Sequence, residues 1–207
     1  IKCGSIGDIS TLSFYANKHI TTGEGGAILT NNKQFSLRAK QMINLDFNSK
    51  KRFVHNNLFW NYRMSGIQAA MGISQLKNIN NVVKSKIAQG KYYSALFKKY
   101  DVNVQIPAPN VGSTNNHYWV YGIVLENKID RESVMKKLFE LNIETRPFFW
   151  PLHLQPVVKN LDIQNNHYKN SEKLGKSGFY IPMGKHVSKS NQKKIVLKIK
   201  SIIEEEN

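Results

Sequence analysis

The stretch from residue 9 to residue 30 constrains the fold more than any other part of the chain. Residues 9–15 alternate and are rich in strand-forming side chains, and residues 27–30 form a second short run closed by Asn31-Asn32. Between them lies Thr21-Thr22-Gly23-Glu24-Gly25-Gly26, where glycine opens backbone conformations that other residues avoid. Two strand-like runs joined this way predict a hairpin with a long loop, and Lys18 stands in that loop. Hydroxyls precede it at Ser10, Thr11 and Ser13. An amine that forms an imine needs a desolvated or cationic setting, and an anionic group held beside it needs hydroxyls and backbone N–H groups. The same pattern also suits a surface hairpin carrying an ordinary solvated lysine.

The rest of the chain reads as alternating helices and strands. A helix is predicted over 34–43, followed by a polar, irregular stretch over 44–60, long enough to suggest a functional loop. Ser65 and Gln68 form a capping box that opens a helix running to about residue 100, with Gly90 as a bend. Residues 106–116 read as a linker. A strand over 117–125, a helix from Asp130 to Leu141, a strand over 143–149 and a helix over 170–179 follow. A last helix starts at Ser188 or Ser190 and places Ile195, Ile199, Ile202 and Ile203 on one face. Glu204–Glu206 lie at its negative end, which predicts fraying. The reading is α/β in two parts, 1–105 and 106–207.

Composition narrows the function. No apolar run is long enough to span a membrane. The single cysteine, Cys3, excludes an internal disulfide and fits a reducing, cytoplasmic setting. The first residue is Ile1, which suggests a piece of a longer protein. Thirty Lys and Arg against 14 Asp and Glu give a net charge of +16. Such a surface suits a polyanion partner, but the lysines are scattered, with clusters only at Lys50-Lys51-Arg52 and Lys193-Lys194. A lysine-rich composition therefore explains the charge without nucleic acid as a partner.

The motifs add a resemblance. Gly7-Asp8, then Ser13-Phe14-Tyr15-Ala16-Asn17-Lys18-His19-Ile20-Thr21-Thr22-Gly23-Glu24-Gly25-Gly26, closely resembles the signature of the DegT/DnrJ/EryC1/StrS family. Asn61-Tyr62-Arg63-Met64-Ser65-Gly66-Ile67-Gln68-Ala69-Ala70 is similar to that family's second block. Arg146-Pro147-Phe148-Phe149-Trp150-Pro151-Leu152-His153 is similar to its third, and Ile181-Pro182-Met183 to its closing segment. The resemblance implies a fold-type I transferase dependent on pyridoxal phosphate (PLP). The chain would hold part of the large three-layer αβα domain and a small C-terminal α/β domain.

It also implies roles. Lys18 matches the Schiff-base lysine and Ser13 a serine on the PLP phosphate. Asn61 matches an asparagine that reaches that phosphate from the other subunit of a homodimer. Arg63 and His153 fall where substrate is held, although a buried ion pair for Arg63 and an ordinary loop position for His153 suit them equally. Glu24 reads as a turn residue. The implied reaction is ping-pong transfer of an amino group from glutamate to a nucleotide-linked 4-keto-6-deoxy sugar, typically for cell-surface polysaccharide such as lipopolysaccharide. No metal is implied, and no membrane. A related dehydrating branch carries histidine at the lysine position, so Lys18 points away from it. The ring that stacks on PLP and the carboxylate for its pyridine nitrogen come from earlier in the family's chain, and Asp8 is not that carboxylate. About half of a cofactor site is therefore expected here. A truncated product without activity, and a basic polyanion-binding module, remain the alternatives.

Overall fold

The computed structural model describes residues 1–47, 50–126, 128–158 and 168–206. Residues 48 and 49 of the expected long loop, and Lys159, lie outside these. The chain divides into two compact units, Ile1–Val82 and Val83–Asn207.

In the first unit, β1 (Ser10–Ser13) pairs antiparallel with β2 (Gly26–Leu29), Ser10 opposite Leu29 and Ser13 opposite Gly26. Asn32 caps α1 (Lys33–Met42), its Oδ1 accepting from the amides of Gln34 at 2.8 Å and Phe35 at 3.2 Å. The expected capping box of Ser65 and Gln68 opens α2 (Gly66–Leu76). The helix does not run on to residue 100. It stops at Lys77, and α3 (Ile79–Lys99) starts afresh. Asn78 is the reason. Its carbonyl accepts from Val82 N–H at 3.2 Å and its Oδ1 from Asn81 Nδ2 at 2.5 Å, the behaviour of a side chain that favours caps over helix interiors.

The loop after α1 winds around Asp46. Its Oδ2 accepts from the backbone amides of Asn56 and Asn57, both at 2.8 Å, and from Asn57 Nδ2 at 3.1 Å; Gln41 Nε2 donates to Oδ1. Leu45 and Asp46 both take left-handed backbone, φ 57° and 58°. Burial pushes the Asp46 carboxyl up, but these hydrogen bonds outweigh it and hold the group below its usual range. Among the described residues of this unit, only Thr22 and Asp46 are buried. Leu12, Ile28, Leu29, Phe35 and Leu37 stay exposed, so the hairpin has no apolar core of its own.

The second unit carries the core. Its four-stranded antiparallel sheet runs in the order β3 (Val104–Gln105), β6 (Tyr121–Leu125), β8 (Gly178–Ile181), β7 (Arg146–Pro147). A small hairpin, β4 (Asn110–Val111) and β5 (Thr114–Asn115), turns at Gly112 within the expected linker. The helices are α4 (Arg131–Glu140), α5 (Lys169–Ser177) and α6 (Lys189–Glu206), with short 3-10 turns at Leu152–Leu154 and Pro156–Val158.

The compact units divide at Val82/Val83, within α3. The cause is the inner face of α3. Tyr93, Leu96 and Phe97 pack with Tyr118, Tyr121 and the α6 isoleucines in one cluster. Tyr93 donates to Pro182 O at 2.9 Å, and Gln192 Nε2 to Gln89 O at 3.0 Å. Gly90 is no bend. A Cβ there would lie 2.4 Å from the Tyr118 ring, so its bareness admits that side chain.

Residue 178 begins a strand rather than ending a helix, and the expected strand over 143–149 shrinks to β7. The Phe148 ring lies over Gly122 of β6 and Gly178 of β8, where added Cβ atoms would stand 2.2 Å and 1.8 Å from it. The predicted inner face of α6 is buried as expected at Ile195, Ile199, Ile202 and Ile203. Its acidic end, expected to fray, is helical through Glu206. Glu206 pairs with Lys137 at 2.8 Å and accepts from Ser133 Oγ at 2.6 Å, which offsets the unfavourable helix end.

Candidate active site

Lys18 stands on the loop between β1 and β2, half-buried. The loop is closed at its neck by backbone. Phe14 N–H donates to Gly25 O and Thr22 N–H to Phe14 O, both at 2.9 Å, and Thr21 Oγ1 adds a bond to Phe14 O at 3.1 Å. Within it, Lys18 N–H donates to Tyr15 O at 3.0 Å, making a turn that raises the lysine from the strand end. Gly25 has φ 140° and packs where a Cβ would meet Thr22 Oγ1 at 2.6 Å and Met64 Cε at 2.8 Å, so a side chain is excluded on both counts. Ser13, the last residue of β1, is exposed; its Oγ lies 3.4 Å from Tyr15 N.

Helix α2 supports this loop from outside. Gln75 Oε1 accepts from Thr21 N–H at 3.0 Å, and its Nε2 donates to Thr21 O at 2.7 Å. Gln68 Nε2 donates to Glu24 O at 3.2 Å, and Thr22 Oγ1 to the same oxygen at 2.6 Å. Glu24 thus serves the turn through its backbone. The sequence reading missed Gln75. The available signal was its spacing of seven from Gln68, which puts both amides on one helix face.

Asn61 and Arg63 lie on the extended stretch that leads into α2. Asn61 forms an isolated antiparallel bridge with Asn44, flanked by Leu45 N–H to Trp60 O and Tyr62 N–H to Ile43 O, both 3.0 Å. Both side chains are on the surface. Arg63 Nη1 donates to Asn44 Oδ1 at 2.9 Å, so the buried ion pair that suited its sequence is not what it forms.

His153 belongs to the second unit, in the 3-10 turn after Pro151, and is only 6% exposed. Its Nε2 lies 3.1 Å from Glu172 Oε1, which also accepts from Tyr168 N–H at 3.1 Å, and the Tyr168 ring meets the imidazole edge-on at 4.8 Å. These contacts tie the 3-10 turn to α5. Among the described residues, no three His, Cys, Asp or Glu gather as metal ligands would, and no helix is long and apolar enough to cross a membrane.

Residues 1–200 match the sequence model of the DegT/DnrJ/EryC1/StrS aminotransferase family. GDP-perosamine synthase of Caulobacter vibrioides is 29% identical over 205 residues, covering 98% of this chain and 54% of that protein. GDP-perosamine synthase of Vibrio cholerae is 32% identical over 162 residues, covering 77% of this chain and 43% of that protein. Among solved structures, Helicobacter pylori PseC, an aminotransferase involved in the biosynthesis of pseudoaminic acid, superposes with a TM-score of 0.88 at 22% identity, over 99% of this chain and 55% of that one. That likeness speaks to the fold, the mixed α/β arrangement of part of a fold-type I transferase. The chain spans about half the length of the curated relatives it matches.

Proposed function

We propose that this chain, which belongs to the DegT/DnrJ/EryC1/StrS aminotransferase family, is the lysine-bearing portion of a PLP-dependent sugar aminotransferase. Its reaction moves an amino group from glutamate to a nucleotide-linked 4-keto-6-deoxy sugar, for surface polysaccharide. The observation that carries this reading is the Lys18 loop: a half-buried primary amine on a segment closed at its neck and supported from α2.

The residues present fit part of the cofactor. The donor set offers an amine for its aldehyde and, at the end of β1, a hydroxyl for its phosphate. Lys18 would hold the aldehyde carbon, Ser13 Oγ would donate to the phosphate, and Asn61 would donate to the phosphate bound by the partner subunit of a homodimer. When bound, PLP supplies an electron sink for the carbon that loses its proton. The Lys18 Nζ would, as a free amine, carry that proton, as general base and then general acid. Arg63, an exposed guanidinium, suits a carboxylate or phosphate of the substrate in bidentate fashion. His153 acts at one remove, keeping the turn after Pro151 in shape through Glu172.

The test uses the full-length protein. Lys18→Ala abolishes amino transfer from glutamate while leaving the unfolding midpoint in place, because a loop lysine adds little packing. Mixing Lys18→Ala subunits with Asn61→Ala subunits restores part of the activity, since one of the heterodimer's two sites carries neither change. Full activity in Lys18→Ala, or no restoration in mixtures shown to exchange subunits, contradicts the reading.

A further inference from the structure

We propose that Gln75, assisted by Gln68, is a positioning residue for the Lys18 amine, so that helix α2 sets where the lysine stands. The proposal rests on Lys18 being the cofactor-holding lysine. β1 ends at Ser13 and β2 begins at Gly26, so the N–H and C=O of Thr21 fall outside the hairpin ladder. The side-chain amide of Gln75 takes the place of a neighbouring strand. It accepts from Thr21 N–H at 3.0 Å and donates to Thr21 O at 2.7 Å, the two-bond exchange that a paired β residue makes.

Thr21 is three residues beyond Lys18, and its hydroxyl is bonded to Phe14 O at the neck. Fixing Thr21 therefore fixes the returning limb of the loop, while the Lys18–Tyr15 turn fixes the outgoing limb. Gln75 is itself held, its Nε2 also donating to Met71 O at 3.0 Å. One turn earlier, bare Gly72 lets Thr22 Cγ2 approach to 3.0 Å of where a Cβ would be. Gln68 holds the loop's far end through Glu24 O. A loop fixed on both limbs keeps an amine in one place, and misplacing a reacting group by about 1 Å can cost on the order of a hundredfold in rate.

The test reads amine placement apart from turnover. Full-length protein and its Gln75→Leu and Gln75→Glu variants are incubated with sub-saturating PLP, reduced with borohydride and digested. Pyridoxyl label on Lys18 is then compared with label on exposed Lys40, and hydrogen exchange is measured at the Thr21 amide. Gln75→Leu removes both bonds; Gln75→Glu keeps an acceptor for Thr21 N–H and loses the donor to Thr21 O. The expected Lys18-to-Lys40 ratio falls about tenfold in Gln75→Leu, in keeping with lost hydrogen bonds of ordinary strength, and by less in Gln75→Glu. Thr21 exchange quickens in the same order. An unchanged labelling ratio in a folded variant that has lost Thr21 protection overturns the proposal, since a merely structural glutamine would give that result. If Gln75→Leu does not fold, Gln75→Glu decides by the same comparison. Wild-type protein labelled elsewhere than Lys18 sinks the cofactor reading itself, an outcome distinct from an unmoved ratio.

Discussion

Replacing Gly122 with alanine tests how the third motif is anchored. Phe148 lies over Gly122 and Gly178, and its own N–H donates to Gly178 O at 2.9 Å. The three atoms nearest a Cβ on Gly122 would all belong to the Phe148 ring, at 2.2, 2.8 and 3.1 Å. Overpacking of this kind costs about 1–3 kcal/mol, against roughly 0.5–1 kcal/mol gained by replacing glycine inside a strand. The net is a loss of up to about 2.5 kcal/mol, which lowers the midpoint of a chain this size by up to about 10 °C. With Phe148→Ala already in place, the same change should be neutral or slightly stabilising.

Gly178→Ala behaves differently. Its Cβ would meet the Phe148 ring at 1.8 Å and also Leu174 O at 2.5 Å, which is backbone and cannot move aside as a side chain does. Phe148→Ala should therefore rescue Gly122→Ala fully and Gly178→Ala only in part. The assay is urea unfolding of the single and double variants, followed by circular dichroism and read as double-mutant cycles. Equal costs of Gly122→Ala with and without the Phe148 ring would refute the packing argument.

Two further outcomes follow from the first unit. Asp46 has its folded-state pKa lowered, so its contribution to loop stability is present above the ordinary carboxylate range and is lost as pH falls through the lowered value; exchange at the Asn56 and Asn57 amides should quicken over that acid window, and Asp46→Ala should remove the pH dependence. Residues 83–207 expressed alone should unfold in one cooperative step, whereas residues 1–82 should melt without a sharp transition and bind a hydrophobic dye, because a two-stranded hairpin with exposed apolar faces is marginal by itself. A sharp transition in the shorter piece would contradict this account of where the core lies.

What the sequence revealed and what it hid have local causes. The capping box at Ser65 and the isoleucine face of α6 were legible because each is written within a few consecutive residues. The strand–lysine–glycine segment was legible for the same reason. The break at Asn78 was hidden because the apolar pattern continues across it with neither glycine nor proline. β8 was hidden because Gly178 follows α5 without a turn residue, and its strand character comes from pairing with β6, more than 50 residues away. The anchored tail of α6 depends on Lys137 and Ser133 of α4, and the grip of Gln75 on Thr21 spans 54 residues. Such contacts leave no mark in a local window. His153 was placed by its motif, but its burial against Glu172 depends on α5.

The central claim is that Lys18 is the lysine that holds PLP. Borohydride reduction of the cofactor-saturated full-length protein, followed by peptide mapping, tests it most directly. The account predicts a pyridoxyl group on the peptide carrying Lys18, absent from the Lys18→Ala variant. Label on another lysine at comparable yield, or no label in protein shown to have bound the cofactor, would contradict it.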